Sequence, residues 1–91
     1  MDLITIAEVK RDAAKLYTEA AWSAGLDGER ATPEARAAYF NRAADYMRRA
    51  ADLWLEAGDH PADGRASDRR EAEYLRMLAD AWTAAAMRGA A

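Results

Sequence analysis

Between Tyr39 and Trp54 three bulky doublets, Tyr39-Phe40, Tyr46-Met47 and Leu53-Trp54, repeat at intervals of seven residues. Seven residues is close to two helical turns, so each member of a doublet stacks above its counterpart and forms a stripe. Adjacent residues lie about 100° apart around a helix, which turns the Tyr39/Tyr46/Leu53 and Phe40/Met47/Trp54 stripes in different directions. Ala43, Ala50 and Ala57 lie between the stripes, and Ala44 and Ala51 lie beyond the second. A helix with so wide an apolar arc, alternating large and small, must pack against at least two neighbours.

The rest of the chain agrees with that constraint. Apolar residues make up 52% of 91 residues, too many for a disordered chain and enough for one modest core. Alanine, the best helix former, supplies 25 of them, and there are only two prolines. The expectation is a single all-α domain, an up-down-up antiparallel three-helix bundle with a long central helix, its helices at about residues 6–24, 33–57 and 67–87.

Local signals set those boundaries. Thr5 and Glu8 form a capping-box pattern, with Ile4 and Val9 at the two positions of a hydrophobic staple. Val9, Ala13, Leu16, Ala20 and Ala24 then make one seam, broadened by Ile6 and Tyr17, and Gly25 or Gly28 ends the helix before a loop to Ala31. Thr32-Pro33-Glu34 opens the second helix with a cap residue, a proline at the first helical position and an acid at the positive end. Gly58 through Gly64 reads as a turn, after which Asp63 or, preferably, Ser67 caps a third helix with Ala72, Leu75, Leu78, Ala79, Trp82 and Ala86 inward. Arg88 to Ala91 are expected to fray. Leu16, Tyr39, Tyr46, Leu53, Leu75, Leu78 and Trp82 are the expected core.

Net charge is −3 and the pI is near 5.1, so nothing draws the whole chain to nucleic acid or to an acidic lipid surface. Eleven of thirteen basic residues are arginine, which with the alanine excess points to GC-rich coding and a bacterial or phage source. There is no cysteine, hence no disulfide, thiolate nucleophile or Cys-based metal site. The start lacks a basic segment followed by an apolar one, and no apolar run approaches the roughly 20 residues of a membrane span. A cytoplasmic location with no membrane association is the default expectation.

Few residues suggest chemistry. His60 is the only histidine and has Asp59 and Asp63 beside it, but a histidine before proline among acids and glycine reads first as a turn. No Glu-x-x-His or His-x-x-x-His pattern is present, and neither Ser23 nor Ser67 sits in a Gly-x-Ser-x-Gly context. No catalytic residue, cofactor or metal site is expected. Arg65, Arg69 and Arg76, with Arg70 beside them, align along the third helix and constitute the nucleic-acid alternative. Glu73 and Asp80 interrupt them at spacings that suggest Arg69–Glu73 and Arg76–Asp80 pairs, so a solvated mixed-charge face is preferred.

Trp22 is the more informative residue. It falls opposite the expected seam, among Arg11, Lys15 and Glu19, where its ring either folds over the Gly25–Ala31 segment or anchors a partner. Phe40, Met47 and Trp54 pose the same choice between core and interface. The aromatic and alanine-rich middle helix, the acidic turn and the Glu73-Tyr74-Leu75 stretch resemble the microtubule-interacting-and-trafficking domain. The Ala57-Gly58-Asp59 helix end is similar to tetratricopeptide units, although the second helix is about twice as long as theirs and does not repeat. What both resemblances imply is a protein-binding helical module. The expectation is therefore a small non-enzymatic interaction module, an adaptor, an inhibitor or a self-associating homodimer, with Trp22, Phe40, Met47 and Trp54 as candidate interface residues.

Overall fold

The computed structural model describes residues 5–90, with side chains through Arg88. Ile4, the first half of the expected staple, and Ala91 lie outside the described residues, whereas Arg88 to Ala90, expected to fray, are the last residues of the third helix. Three helices follow one another: α1 (Ile6–Arg30), α2 (Pro33–Gly58) and α3 (Ala66–Ala90). There is no strand among the described residues. Short connections force antiparallel neighbours, and α1 and α3 each pack along α2 in an up-down-up arrangement.

The helix starts follow from local chemistry. Thr5 Oγ1 accepts the Glu8 N–H at 3.1 Å while Glu8 Oε2 accepts the Thr5 N–H at 3.3 Å, a complete capping box. Pro33 occupies the first turn of α2, and the Thr32 carbonyl accepts from Ala35 and Arg36 without any side-chain cap. Neither Asp63 nor Ser67 caps α3. The helix begins at Ala66, and Asp68 reaches back to accept the Arg65 N–H at 3.0 Å.

α1 differs from expectation in two respects. It does not stop at Gly25 or Gly28 but continues to Arg30, so the three helices are nearly equal, at 25, 26 and 25 residues, and α2 is not distinguished by length. The two glycines are sites of close approach, not helix ends. A Cβ on Gly25 would lie 2.5 Å from Trp82 Cη2, and one on Gly28 would lie 2.6 Å from Phe40 Cε1. Each mid-helix glycine costs about 1 kcal/mol relative to alanine, a cost that the aromatic contacts offset.

The buried face of α1 is also rotated from the expected one. Ala7, Ala14, Ala21 and Gly28, seven residues apart, point inward together with Arg11, Ala24 and Gly25. Val9 and Leu16 point outward, Leu16 at 67% exposure, so Leu16 is not a core residue. The reason is complementarity: α2 already brings large side chains to this contact, and a second large stripe opposite would hold the axes apart. Alanine and glycine let α1 come close. The core cluster joins Met47, Leu53 and Leu75 to alanines of all three helices, with Tyr17, Tyr46, Trp54, Leu78 and Trp82 half-buried around it. Leu53 and Leu75 are thus core as expected, whereas Tyr39, Tyr46, Leu78 and Trp82 are half-buried.

α1 and α3 scarcely touch each other except through two ties. At one end Arg11, expected on the polar face, is buried and grips Asp68 with both arms, Nε to Oδ1 at 3.0 Å and Nη2 to Oδ2 at 2.8 Å. Arg11 also donates to the Asp63 carbonyl. At the other end Trp82 lies over Gly25, meets Trp22 edge-on at 6.1 Å between centroids and contacts Phe40 at 5.0 Å. The result is a flattened bundle, 50 × 24 × 12 Å, with a radius of gyration of 14.9 Å against about 12 Å for a globule of this length.

Gly28→Ala should lower stability by about 1–2 kcal/mol in chemical denaturation, because Phe40 and the Tyr39 Cβ must give way. A stabilised variant would show that the glycine is merely tolerated. The Arg11 hydrogen bonds hold the Asp68 carboxyl below the usual carboxylate range, outweighing the opposing effect of burial, with the Arg65 N–H helping. A carboxylate with a lowered folded-state pKa stabilises the fold above its unfolded value, about 3.9, and that stability disappears as pH falls through the folded value. The urea midpoint should therefore fall between about pH 5 and pH 2. Asp68→Asn should start lower at pH 7 and depend less on pH over that window; an unchanged slope would assign the acid sensitivity elsewhere.

Candidate interaction surfaces

The four candidate interface residues separate into different environments. Met47 is fully buried and Phe40 is 8% exposed, so both belong to the subunit interior and present no surface to a partner. They are held there because their stripe on α2 faces the space between α1 and α3, where Trp82 closes over it. Trp54 is half-buried against the core cluster. Trp22 is 47% exposed. Its ring does not fold over a loop, since Gly25–Arg30 is helical; it leans on Trp82 instead.

Trp22 borders a shallow cleft of about 250 Å³ completed by Leu78, Ala81, Trp82 and Ala85, almost wholly apolar. Nearby on α3, Tyr74 and Met77 are largely exposed, and so is Leu26 on α1. A second apolar cleft, of about 310 Å³, lies between α1 and α2, lined by Ala13, Leu16, Tyr17, Ala20 and Tyr46. Ala13 and Trp22 are nine residues apart, about 180° around the helix, so the two clefts open on opposite faces of the molecule. The rings of Tyr17 and Tyr46 form the floor of the second cleft, with centroids 6.2 Å apart. Val9, at 54% exposure, extends its apolar edge and Ile6, at 65%, widens it. Arg49 lies 6.0 Å from the Tyr17 ring and Arg42 lies 5.5 Å from the Tyr39 ring, a cationic border along α2.

Residue type alone placed the α1 stripe in the core. The signal that identifies the true inward face is the heptad of small residues, Ala7/Ala14/Ala21/Gly28, one helical face away from Val9 and Leu16. Where one helix carries only small residues at heptad spacing opposite a helix rich in large ones, the small face is the one that fits.

Two of the four candidate arginines, Arg69 and Arg76, are neutralised across the helix pair. Arg69 binds Asp59 at 2.9 Å and Arg76 binds Asp52 at 3.3 Å, both acids of the α2 side. These replace the expected Arg69–Glu73 and Arg76–Asp80 pairs; Asp80 instead lies 3.6 Å from Arg48, which also donates to Thr83 Oγ1 at 2.7 Å. The acid–base pairs bridge α2 and α3 because the outward edges of the two helices face each other there. Arg65 and Arg70 are exposed, and Arg65 contributes its backbone N–H to the start of α3. On α2, Asp45 pairs with Arg48 at 3.7 Å, leaving Arg49 to Tyr17.

His60 is a turn residue by its contacts. Its Nδ1 accepts the N–H groups of Ala62 and Asp63 at 3.2 and 3.0 Å, and its carbonyl accepts from Gly64 at 2.9 Å. The Asp63 carboxylate is 3.8 Å away. Among the described residues no group of three or more histidines or acids is arranged to hold a metal ion, and no helix is long and apolar enough to cross a membrane.

Compared with known proteins, the chain matches no protein-family model, no curated sequence and no solved structure.

Proposed function

We propose that this chain is a small helical interaction module that works by binding protein through the apolar faces left open on its flattened bundle. One observation carries the reading: a core built mostly of alanine around Phe40, Met47, Leu53 and Leu75 leaves eight other large apolar side chains about half or more in water. These are Ile6, Val9, Leu16, Trp22, Leu26, Tyr74, Met77 and Met87. Large apolar side chains are worth about 1.5–3 kcal/mol each when fully buried, so the strongest drivers of association remain unused within one subunit. The accessible surface of 5933 Å² exceeds the roughly 5,200 Å² of a compact monomer of this mass, as a flattened bundle requires.

The composition of the two open clefts supports the same reading. Each is nearly free of polar lining atoms and contains at least two aromatic rings, the side chains that dominate binding energy at interfaces. His60 makes backbone contacts suited to a turn, which supports a structural role for the one histidine. Charge compensation on α3 weighs against the nucleic-acid alternative, because Arg69 and Arg76 already have acidic partners.

A photo-crosslinking residue at position 16 or 22 of the full chain, expressed in its source cells, should trap a protein adduct, and one at Glu73 should not. Leu16→Glu and Trp22→Ala should each abolish binding at their own face. Leu16→Glu should change the unfolding free energy by less than about 1 kcal/mol, since that side chain is largely in water, and Trp22→Ala by more, since its ring also leans on Trp82. No adduct at either position would overturn the module reading.

A further inference from the structure

We infer that the face of α1 carrying Val9, Ala13, Leu16 and Ala20 is the seam of a parallel two-fold dimer, in which α1 packs against α1 of a second copy. The inference rests on the interaction-module reading and names its partner. Val9, Ala13, Leu16 and Ala20 follow one another at spacings of four, three and four, the pattern of a two-helix seam. A parallel two-fold sets each residue level with its own copy, so Val9 meets Val9 and Leu16 meets Leu16, while Ala13 and Ala20 between them let the two helices approach closely. The stripe from Val9 to Ala20 is about 17 Å long, and the Tyr17–Tyr46 floor borders it.

Charge decides the occupant and the orientation. Lys15 lies beyond one border of this face, and Glu56, held by Lys10, lies at the end of the other; the seam itself is edged by Asp12 and Glu19 on α1 and by Arg42 and Arg49 on α2. All four are exposed, and among the described residues none of them forms an ion pair. Asp12 and Glu19 are seven residues apart, as are Arg42 and Arg49, so both pairs span about 10.5 Å along their helices. Tyr46 lies against Tyr17 and α2 runs antiparallel to α1. Counting from that contact, Arg49 falls near the level of residue 14 of α1 and Arg42 near the level of residue 21. Each acid is thus within about 3 Å, along the axis, of the level of one arginine.

A two-fold axis parallel to α1 exchanges the two borders without changing level. It therefore sets Asp12 opposite Arg49 of the second copy, and Glu19 opposite Arg42, four times in all by symmetry. An antiparallel pairing would place acid beside acid and arginine beside arginine, which costs binding energy. The charges select the orientation, and the apolar seam supplies the affinity. Ser23 and Asp27 end the apolar stripe, so the contact is small and the dimer forms in a concentration-dependent equilibrium.

Sedimentation equilibrium of the purified full chain tests this directly, with circular dichroism to confirm that each variant is folded. The wild type should approach twice the chain mass as concentration rises, and Leu16→Glu should remain at the single-chain mass. Asp12→Arg and Arg49→Asp should each weaken the dimer by about five- to tenfold at low salt, and the two combined should restore it to within about threefold of wild type. Because the chain has no cysteine, Ser23→Cys introduces its only thiol, and mild oxidation should link two copies at that position. A wild type monomeric at every concentration, or a dimer that Leu16→Glu leaves intact, would overturn the inference. A dimer in which the combined charge exchange fails to restore binding would overturn the parallel register. If the wild type is monomeric while position 16 still crosslinks to a different protein in cells, the module reading stands and only the second copy falls.

Discussion

The close fit of a small-residue face on α1 against the large residues of α2 is the constraint on which the rest of this structure depends. Ala7, Ala14, Ala21 and Gly28 bring the helix in, and Phe40 occupies the space that a Cβ at Gly28 would fill. Because the inward face of α1 is spent on small residues, its large ones are left on the other side. The same choice that closes the α1–α2 contact therefore creates the exposed Val9 and Leu16 edge. Fold and candidate surface have a single cause.

The second organising element is the pair of ties between α1 and α3. These helices flank α2 without packing on one another, so their mutual orientation rests on a few long side chains. Arg11 spans the gap at one end and Trp82 at the other. The two solutions differ physically. The Arg11–Asp68 pair is directional, twice hydrogen-bonded and fully satisfied; no buried side-chain nitrogen or oxygen among the described residues lacks a partner. Trp82 is instead a plate of apolar surface that touches Gly25, Trp22 and Phe40 together. A polar clamp specifies register, whereas an aromatic plate fills volume.

A great deal of this was legible in the chain. The seven-residue doublets on α2, the Thr5–Glu8 box, Pro33 and the Gly58–Gly64 turn are local signals, and each appears where its local physics places it. What was not legible depended on a partner helix. Gly25 and Gly28 look like helix ends until Trp82 and Phe40 are seen above them. Arg11 looks solvated until Asp68, 57 residues away, is seen beside it. Leu16 looks like core because a large apolar residue is expected to be buried, and only the opposing helix shows that there is no room for it. Phe40 and Met47 could have faced outward or inward, and the position of α3 turned them in.

The amino-acid sequence by itself determined three helices, their order and nearly all their starting points, because caps, prolines and seven-residue periodicity act over one or two turns. It also determined that the chain has no cysteine chemistry and only one histidine. The tertiary structure alone decided which face of α1 is inside, which charges are neutralised, and hence which large side chains remain in water. Those outcomes depend on steric complementarity between segments far apart in the chain, and the volume that a side chain may occupy is set by the helix opposite and not by its own neighbours.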